Sequence, residues 1–121
     1  VVRLFDRGVA LNRLAGQTSL LIELLIVFES SLVEIRDQLL RTQGMKDLST
    51  TEYDKIKFKI HTLKGSSGNL TFLKLHESAK RFEEQLVKSK GRPSDDVLKG
   101  FLVDIEIHIQ AVRQEVQGLR R

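Results

Sequence analysis

Apolar residues recur three and four positions apart along nearly the whole chain, and a single proline, Pro93, falls late in the pattern. A period near 3.6 puts such residues on one stripe of a helix, so the chain has to form helices that bury one face. The one alternating stretch, Ile56-Lys57-Phe58-Lys59-Ile60, is short and has no turn residues beside it. A short first helix is predicted from about Arg7 to Ala15, capped by Asp6 and ended by Gly16. The second is predicted from about Thr18 to Gln43, with Leu21, Leu24, Phe28, Leu32, Ile35 and Leu39 on one stripe. Ile22, Ile26, Val33 and Leu40 make a second stripe, so this helix needs cover on two sides, and the short first helix is the expected second cover. Ser49-Thr50-Thr51-Glu52 reads as a capping box that opens a third helix, which runs through His61 to about Leu70. A fourth spans about Leu73 to Lys90, with Leu75, Ala79, Phe82 and Leu86 facing the core. Pro93 or Ser94 starts the last helix, whose stripe is Leu98, Phe101, Leu102, Ile105, Ile109, Val112, Val116 and Leu119. The predicted fold class is all-α: an antiparallel four-helix bundle with a short additional N-terminal helix.

At 121 residues the chain suits one domain, and residues 1–121 are read as a single unit. Val1 rather than Met stands first, so the segment is expected to come from a longer chain. The longest apolar run, Leu20 to Phe28, contains Glu23 and is far shorter than the roughly 20 residues that a membrane span needs. No signal-peptide pattern is present, and direct membrane contact is not expected. The absence of cysteine excludes disulfides and thiolate chemistry, and three scattered histidines exclude zinc-finger spacings; no metal site is expected. The formal net charge is +4, with Lys55, Lys57, Lys59, Lys64, Lys74, Lys80 and Arg81 in the middle of the chain. Such a surface attracts nucleic acid, anionic lipid or an acidic protein site, and the sign alone does not choose. Few aromatics interleave with these lysines, which argues against a single-strand stacking platform.

The informative segment is His61-Thr62-Leu63-Lys64-Gly65-Ser66-Ser67-Gly68-Asn69-Leu70. On a helical wheel, Tyr53, Ile56, Ile60, Leu63, Ser67 and Leu70 share the core side, and His61 lies roughly 130° from its centre, toward solvent. Lys64, Gly65 and Gly68 follow His61 at i+3, i+4 and i+7, on the same surface. Glycine inside a helix costs on the order of 1 kcal/mol relative to alanine, so two of them on an exposed face need a reason. Bare backbone beside an imidazole lets another protein approach the ring. With a pKa of about 6.5 the imidazole is largely neutral at pH 7 and therefore nucleophilic. Lys64 offers a flexible point charge to phosphoryl oxygens.

This segment closely resembles the H-x-L-K-G-[SA]-[SA] signature of histidine-containing phosphotransfer (HPt) domains. Ala10-Leu11-Asn12-Arg13-Leu14-Ala15-Gly16 resembles the first helix of HPt domains at the C-terminus of hybrid sensor histidine kinases. The resemblance implies a four-helix bundle and a phosphocarrier of bacterial two-component signalling, not an enzyme, with no ATP site of its own. It implies that His61 accepts a phosphoryl group through Nε2 from a receiver-domain aspartate and passes it to another. It implies that Lys64 steadies the phosphoryl group, that Gly65 and Gly68 give clearance, and that Glu83, 22 residues on, bonds Nδ1–H and orients the ring. Cofactors are expected to be none in this domain, with Mg²⁺ on the partner receiver. The isolated domain is expected to be a monomer and cytoplasmic, whether free or as the cytoplasmic part of a membrane-anchored sensor kinase. One departure stands out: many members carry Gly ten residues after the histidine, where this chain has Thr71.

Phe58 falls off the core stripe near His61 and reads either as local packing or as part of a docking patch. His76 and His108 read as packing or surface histidines. Two rival functions remain at this point. One is the related phosphoacceptor domain of a chemotaxis-type kinase, which Glu83 mildly favours. The other is a helical scaffold or nucleic-acid-binding bundle that exploits the positive charge.

Overall fold

The computed structural model describes residues 4–121; Val1, on which the expectation of an excised segment rests, lies outside them. Five helices follow in order: α1 (Arg7–Arg13), α2 (Thr18–Thr42), α3 (Thr50–Asn69), α4 (Leu73–Ser89) and α5 (Asp95–Leu119). Their ends obey local chemistry. Asp6, Ser49 and Ser94 accept from the backbone N–H of Val9, Glu52 and Val97, so three of the predicted caps form. Ser49 Oγ also donates to the Glu52 carboxylate, so the S-x-x-E pair meets through its side chains and not through the reciprocal bond to the Ser49 N–H.

The long helices pack in a ring, α2 on α3, α3 on α4, α4 on α5 and α5 back on α2, with α1 laid against α2. Cross-helix pairs fix the antiparallel sense. Arg36 pairs with Glu106 and Glu29 with Arg113 between α2 and α5; Tyr53 Oη donates to the Leu86 carbonyl and His61 meets Glu83 between α3 and α4. The fold is the all-α, antiparallel four-helix bundle with a short leading helix that the apolar spacing predicts. The four-residue rows of the helices form one shared core.

Two expectations about α2 fail. Leu24 is 37% exposed, and the buried member of the stripe is its neighbour Leu25. The second stripe is also largely uncovered, for Ile26 and Leu40 are exposed while Ile22 and Val33 are half-buried. The reason is length. Seven residues of α1 rise only about 10 Å, against roughly 37 Å for the 25 residues of α2, so α1 shields a fraction of it.

The α3–α4 turn holds an aromatic stack. Phe72 is fully buried there, stacked on Phe5 (centroids 4.7 Å apart) and on Phe28 (5.2 Å), with the edge of His108 at 6.1 Å. Thr71, just before it, has φ 68°, the left-handed conformation that ends a helix. The Phe72 N–H donates to the Ser67 carbonyl and the Thr71 N–H to the Gly68 carbonyl, which is a Schellman motif with threonine in the position glycine usually takes. A β-branched residue is strained there by roughly 1–2 kcal/mol. Its hydroxyl offsets the strain: Oγ1 accepts from the Asp6 N–H and donates to the Asp6 carbonyl, each at 3.0 Å. We therefore expect Thr71→Val, which keeps the strain and loses both bonds, to cost about 2–3 kcal/mol in urea unfolding. Thr71→Gly, which loses the bonds and the strain together, should stay within about 1 kcal/mol of the parent. Equal costs for the two variants would refute this account.

His108, read from the sequence as a packing or surface residue, is buried on α5. Its Nδ1–H donates to the Asp104 carbonyl at 2.7 Å, which leaves Nε2 as a bare lone pair with no hydrogen-bond partner among the described residues. Burial drives its pKa below 6.5, against the Asp104 carbonyl and carboxylate, which pull upward, while Lys74 adds to the depression. The folded state thus favours the neutral ring, and the unfolded chain takes up the proton first as pH falls. The corresponding stability is complete above about pH 6.5 and declines below it. His108→Leu should flatten the fall in melting temperature between about pH 6.5 and pH 5. An unaltered slope would show that other groups carry it.

Candidate phosphoacceptor site

His61 stands midway along α3, because Ile56, Ile60, Leu63 and Ser67 turn the opposite side of that helix into the core. Its side chain is 67% exposed. Glu83 sits on α4 one position past buried Phe82, so it emerges at the edge of the α3–α4 contact with 16% of its side chain exposed. Its Oε2 lies 2.8 Å from His61 Nδ1. A carboxylate only accepts, so Nδ1 carries the proton, and Nε2 is the unprotonated nitrogen of the neutral ring.

Lys64 reaches the same carboxylate. Its Nζ does not stand free beside the ring; it donates to Glu83 Oε1 at 2.7 Å, with 27% of the side chain exposed. One carboxylate thus receives both groups, an oxygen to each. Partial burial raises the Glu83 carboxyl's pKa, but the hydrogen bonds and charges of Lys64 and His61 together outweigh it and hold the group below its ordinary value. The lowered pKa keeps the carboxylate in its charged, accepting form opposite Nδ1–H.

The two glycines part company. Gly65 is exposed, and a Cβ added there would meet nothing within 4 Å, so the surface one turn past His61 is open. Gly68 is half-buried, and a Cβ there would lie 3.2 Å from His76 Nδ1. Its missing side chain makes room for His76 of the same molecule. Phe58, one turn before His61, is 71% exposed and lines a shallow groove between α2 and α3 with Ser31, Thr62 and Ser66.

The structure brings His61, Lys64, Glu83 and Gly65 into one constellation and leaves Phe58 at its rim. The basic cluster disperses: Lys59 pairs with Glu34 at 2.9 Å, Lys64 with Glu83, and Lys57 lies over the Tyr53 ring. Sequence reasoning read His76 as a packing or surface residue and missed its bond to the Lys64 carbonyl, which depends on the α3–α4 register. The excess glycine at position 68 was the only signal that something had to fit there. Among the described residues, no group of three or more His, Cys, Asp or Glu is arranged to hold a metal, and no helix is long and apolar enough to cross a membrane.

A small antiparallel bundle that displays one oriented imidazole on an open helix face has the build of a histidine carrier rather than of an enzyme with a closed pocket. The family model described as Hpt domain matches residues 23–121, from within α2 to the last residue, and the chain belongs to that family. Membership implies histidine phosphotransfer in a phosphorelay, carried out as a phosphocarrier and not as a catalytic kinase, with receiver domains as the general class of partner. Neither a curated protein nor a solved structure matches the chain significantly.

Proposed function

We propose that His61 takes a phosphoryl group from a receiver-domain aspartate and delivers it to the aspartate of another receiver. The observation that carries this reading is the 2.8 Å contact between Glu83 and Nδ1 of an exposed ring, which leaves Nε2 bare and outward. Nε2 attacks the phosphorus of the aspartyl phosphate in line. The N–P bond forms as the P–O bond to the aspartate breaks, and the aspartate leaves as a carboxylate. No proton has to leave Nε2. The Nδ1 proton stays on its bond to Glu83, whose negative charge favours the cationic ring that results. A Mg²⁺ ion on the receiver would supply charge to the phosphoryl oxygens; this domain contributes the nucleophile, its orientation and an open approach. Lys64 lies one turn from His61 and can transfer its ammonium from Glu83 to an arriving phosphoryl oxygen, a movement of one flexible side chain. Phe58 and its groove give the receiver an apolar foothold beside the acceptor.

The reading is tested by mixing the domain with a phosphorylated receiver and following the label onto the domain and then onto a second receiver. Gly65→Leu places bulk on the open turn without touching the core. It should slow transfer from the receiver by about tenfold or more while a small phosphoryl donor still labels the domain at the parent rate. Receiver transfer at the parent rate would dispose of the clearance argument. A carboxylate rather than an amide on Nδ1 also fits a phosphoacceptor fed directly by an ATP-binding kinase domain. Labelling by such a domain, with none by a receiver, would favour that alternative.

A further inference from the structure

His76 and Gly68 have no part in the transfer steps above, yet they meet. His76, in the first turn of α4, donates its Nδ1–H to the main-chain carbonyl of Lys64 at 2.6 Å, an oxygen that also accepts from the Ser67 hydroxyl at 3.1 Å. A Cβ at position 68 would lie 3.2 Å from His76 Nδ1 and 3.6 Å from its Cε1, so a side chain there has to push the ring back by a few tenths of an ångström, against its bond to the Lys64 carbonyl. This is what the helix gains in return for an interior glycine that weakens it by about 1 kcal/mol.

The consequence is geometric. Helix α4 grips α3 at two points around the acceptor, seven residues apart: His76 on the Lys64 carbonyl, and Glu83 on the Lys64 ammonium and the His61 ring, while the Tyr53 hydroxyl holds the Leu86 carbonyl toward the other end of the contact. Lys64 is common to both. Apolar helix faces such as Leu75, Ala79 and Phe82 tolerate sliding by about 1–2 Å, whereas a directional 2.6 Å bond does not. A slide of that size would part Glu83 from His61.

We propose that the Gly68–His76 pair is a positioning device for the acceptor: His76 sets the register of α4 against α3 and thereby keeps Glu83 on Nδ1 of His61. The proposal rests on His61 being the acceptor, but its content is the orientation of a ring, which is measurable without phosphate.

The test compares the parent with His76→Ala, His76→Asn, Gly68→Ala and the Gly68→Ala/His76→Ala pair. Imidazole ¹⁵N spectra give the His61 tautomer. Phosphoramidate gives the initial rate of labelling, as the N–P bond to His61 forms and ammonia leaves. His76→Ala should turn a single His61 tautomer into a mixture and slow labelling about tenfold. His76→Asn should restore both, because its amide nitrogen stands where Nδ1 stood and donates to the same carbonyl. Gly68→Ala alone should resemble His76→Ala, and should add nothing once the ring is gone. A His76→Ala protein with the parent's tautomer and rate overturns the proposal. So does a slowed rate with an unchanged tautomer, or a defect that asparagine does not repair. If the parent takes up no phosphate while His76→Ala still mixes the tautomers, positioning stands and the acceptor reading falls.

Discussion

Replacing His61 with glutamine is expected to abolish phosphoryl uptake rather than reduce it. The glutamine amide nitrogen has its lone pair delocalised into the carbonyl and is no nucleophile at phosphorus. Its N–H can still donate toward Glu83, and glutamine is a better helix former than histidine, so α3 and its neighbours should persist. The substitution therefore separates chemistry from folding. The label to follow is the acid-labile, alkali-stable phosphate of a phosphoramidate bond, after incubation with a phosphorylated receiver. Circular dichroism of the variant should match the parent's. Label on folded His61→Gln would mean that another group is the acceptor, and the assignment of the site would be wrong. The expected loss is complete because the remaining parts, Lys64, Glu83 and Gly65, only orient, neutralise or make room. The Lys64 ammonium, bound to Glu83, has no free lone pair to attack phosphorus, and Glu83 and Gly65 have no side-chain nitrogen.

Phe72→Ala is expected to be the most damaging change to the fold. Phe72 is fully buried and contacts the rings of Phe5, Phe28 and His108, from three different parts of the chain. Removing a buried phenyl ring costs about 3–5 kcal/mol through lost transfer energy and the cavity left behind. A domain of this size is stable by about 5–15 kcal/mol, so the variant should lie near the edge of folding. Phe72→Leu, which retains much of the volume, should cost less than half as much. Urea midpoints at constant slope measure both. A Phe72→Ala protein within about 1 kcal/mol of the parent would show that the stack can collapse into the space. The Schellman bond from residue 72 to Ser67 uses only backbone, so alanine preserves it and the effect isolates the ring.

Much of this was readable before any coordinates. The ends of α2, α3, α4 and α5 fall within one or two residues of their predicted places, because capping residues and glycines act on immediate neighbours. The exposure of His61 follows from Ile56, Ile60, Leu63 and Ser67 claiming the other side of its helix. Leu24 and Leu25 show the limit of periodicity: both are apolar, their directions differ by about 100°, and only the position of α5 and α3 decides which is buried. Phe5 and Phe72 escaped notice because they lie outside the regular helices, where spacing carries no phase.

The candidate site divides the same way. That His61 sits on an open helix face with Lys64 and Gly65 around it was determined by the sequence alone, since residues three and four apart on one helix are neighbours wherever the helix goes. That the Lys64 ammonium lies on Glu83, that Gly68 is filled by His76, and that Thr71 withstands a left-handed backbone by holding Asp6 were decided only by the tertiary structure. Each of these joins groups on separate elements. Their meeting depends on the offset and rotation of packed helices, which contacts between several elements fix together and no local run of residues does.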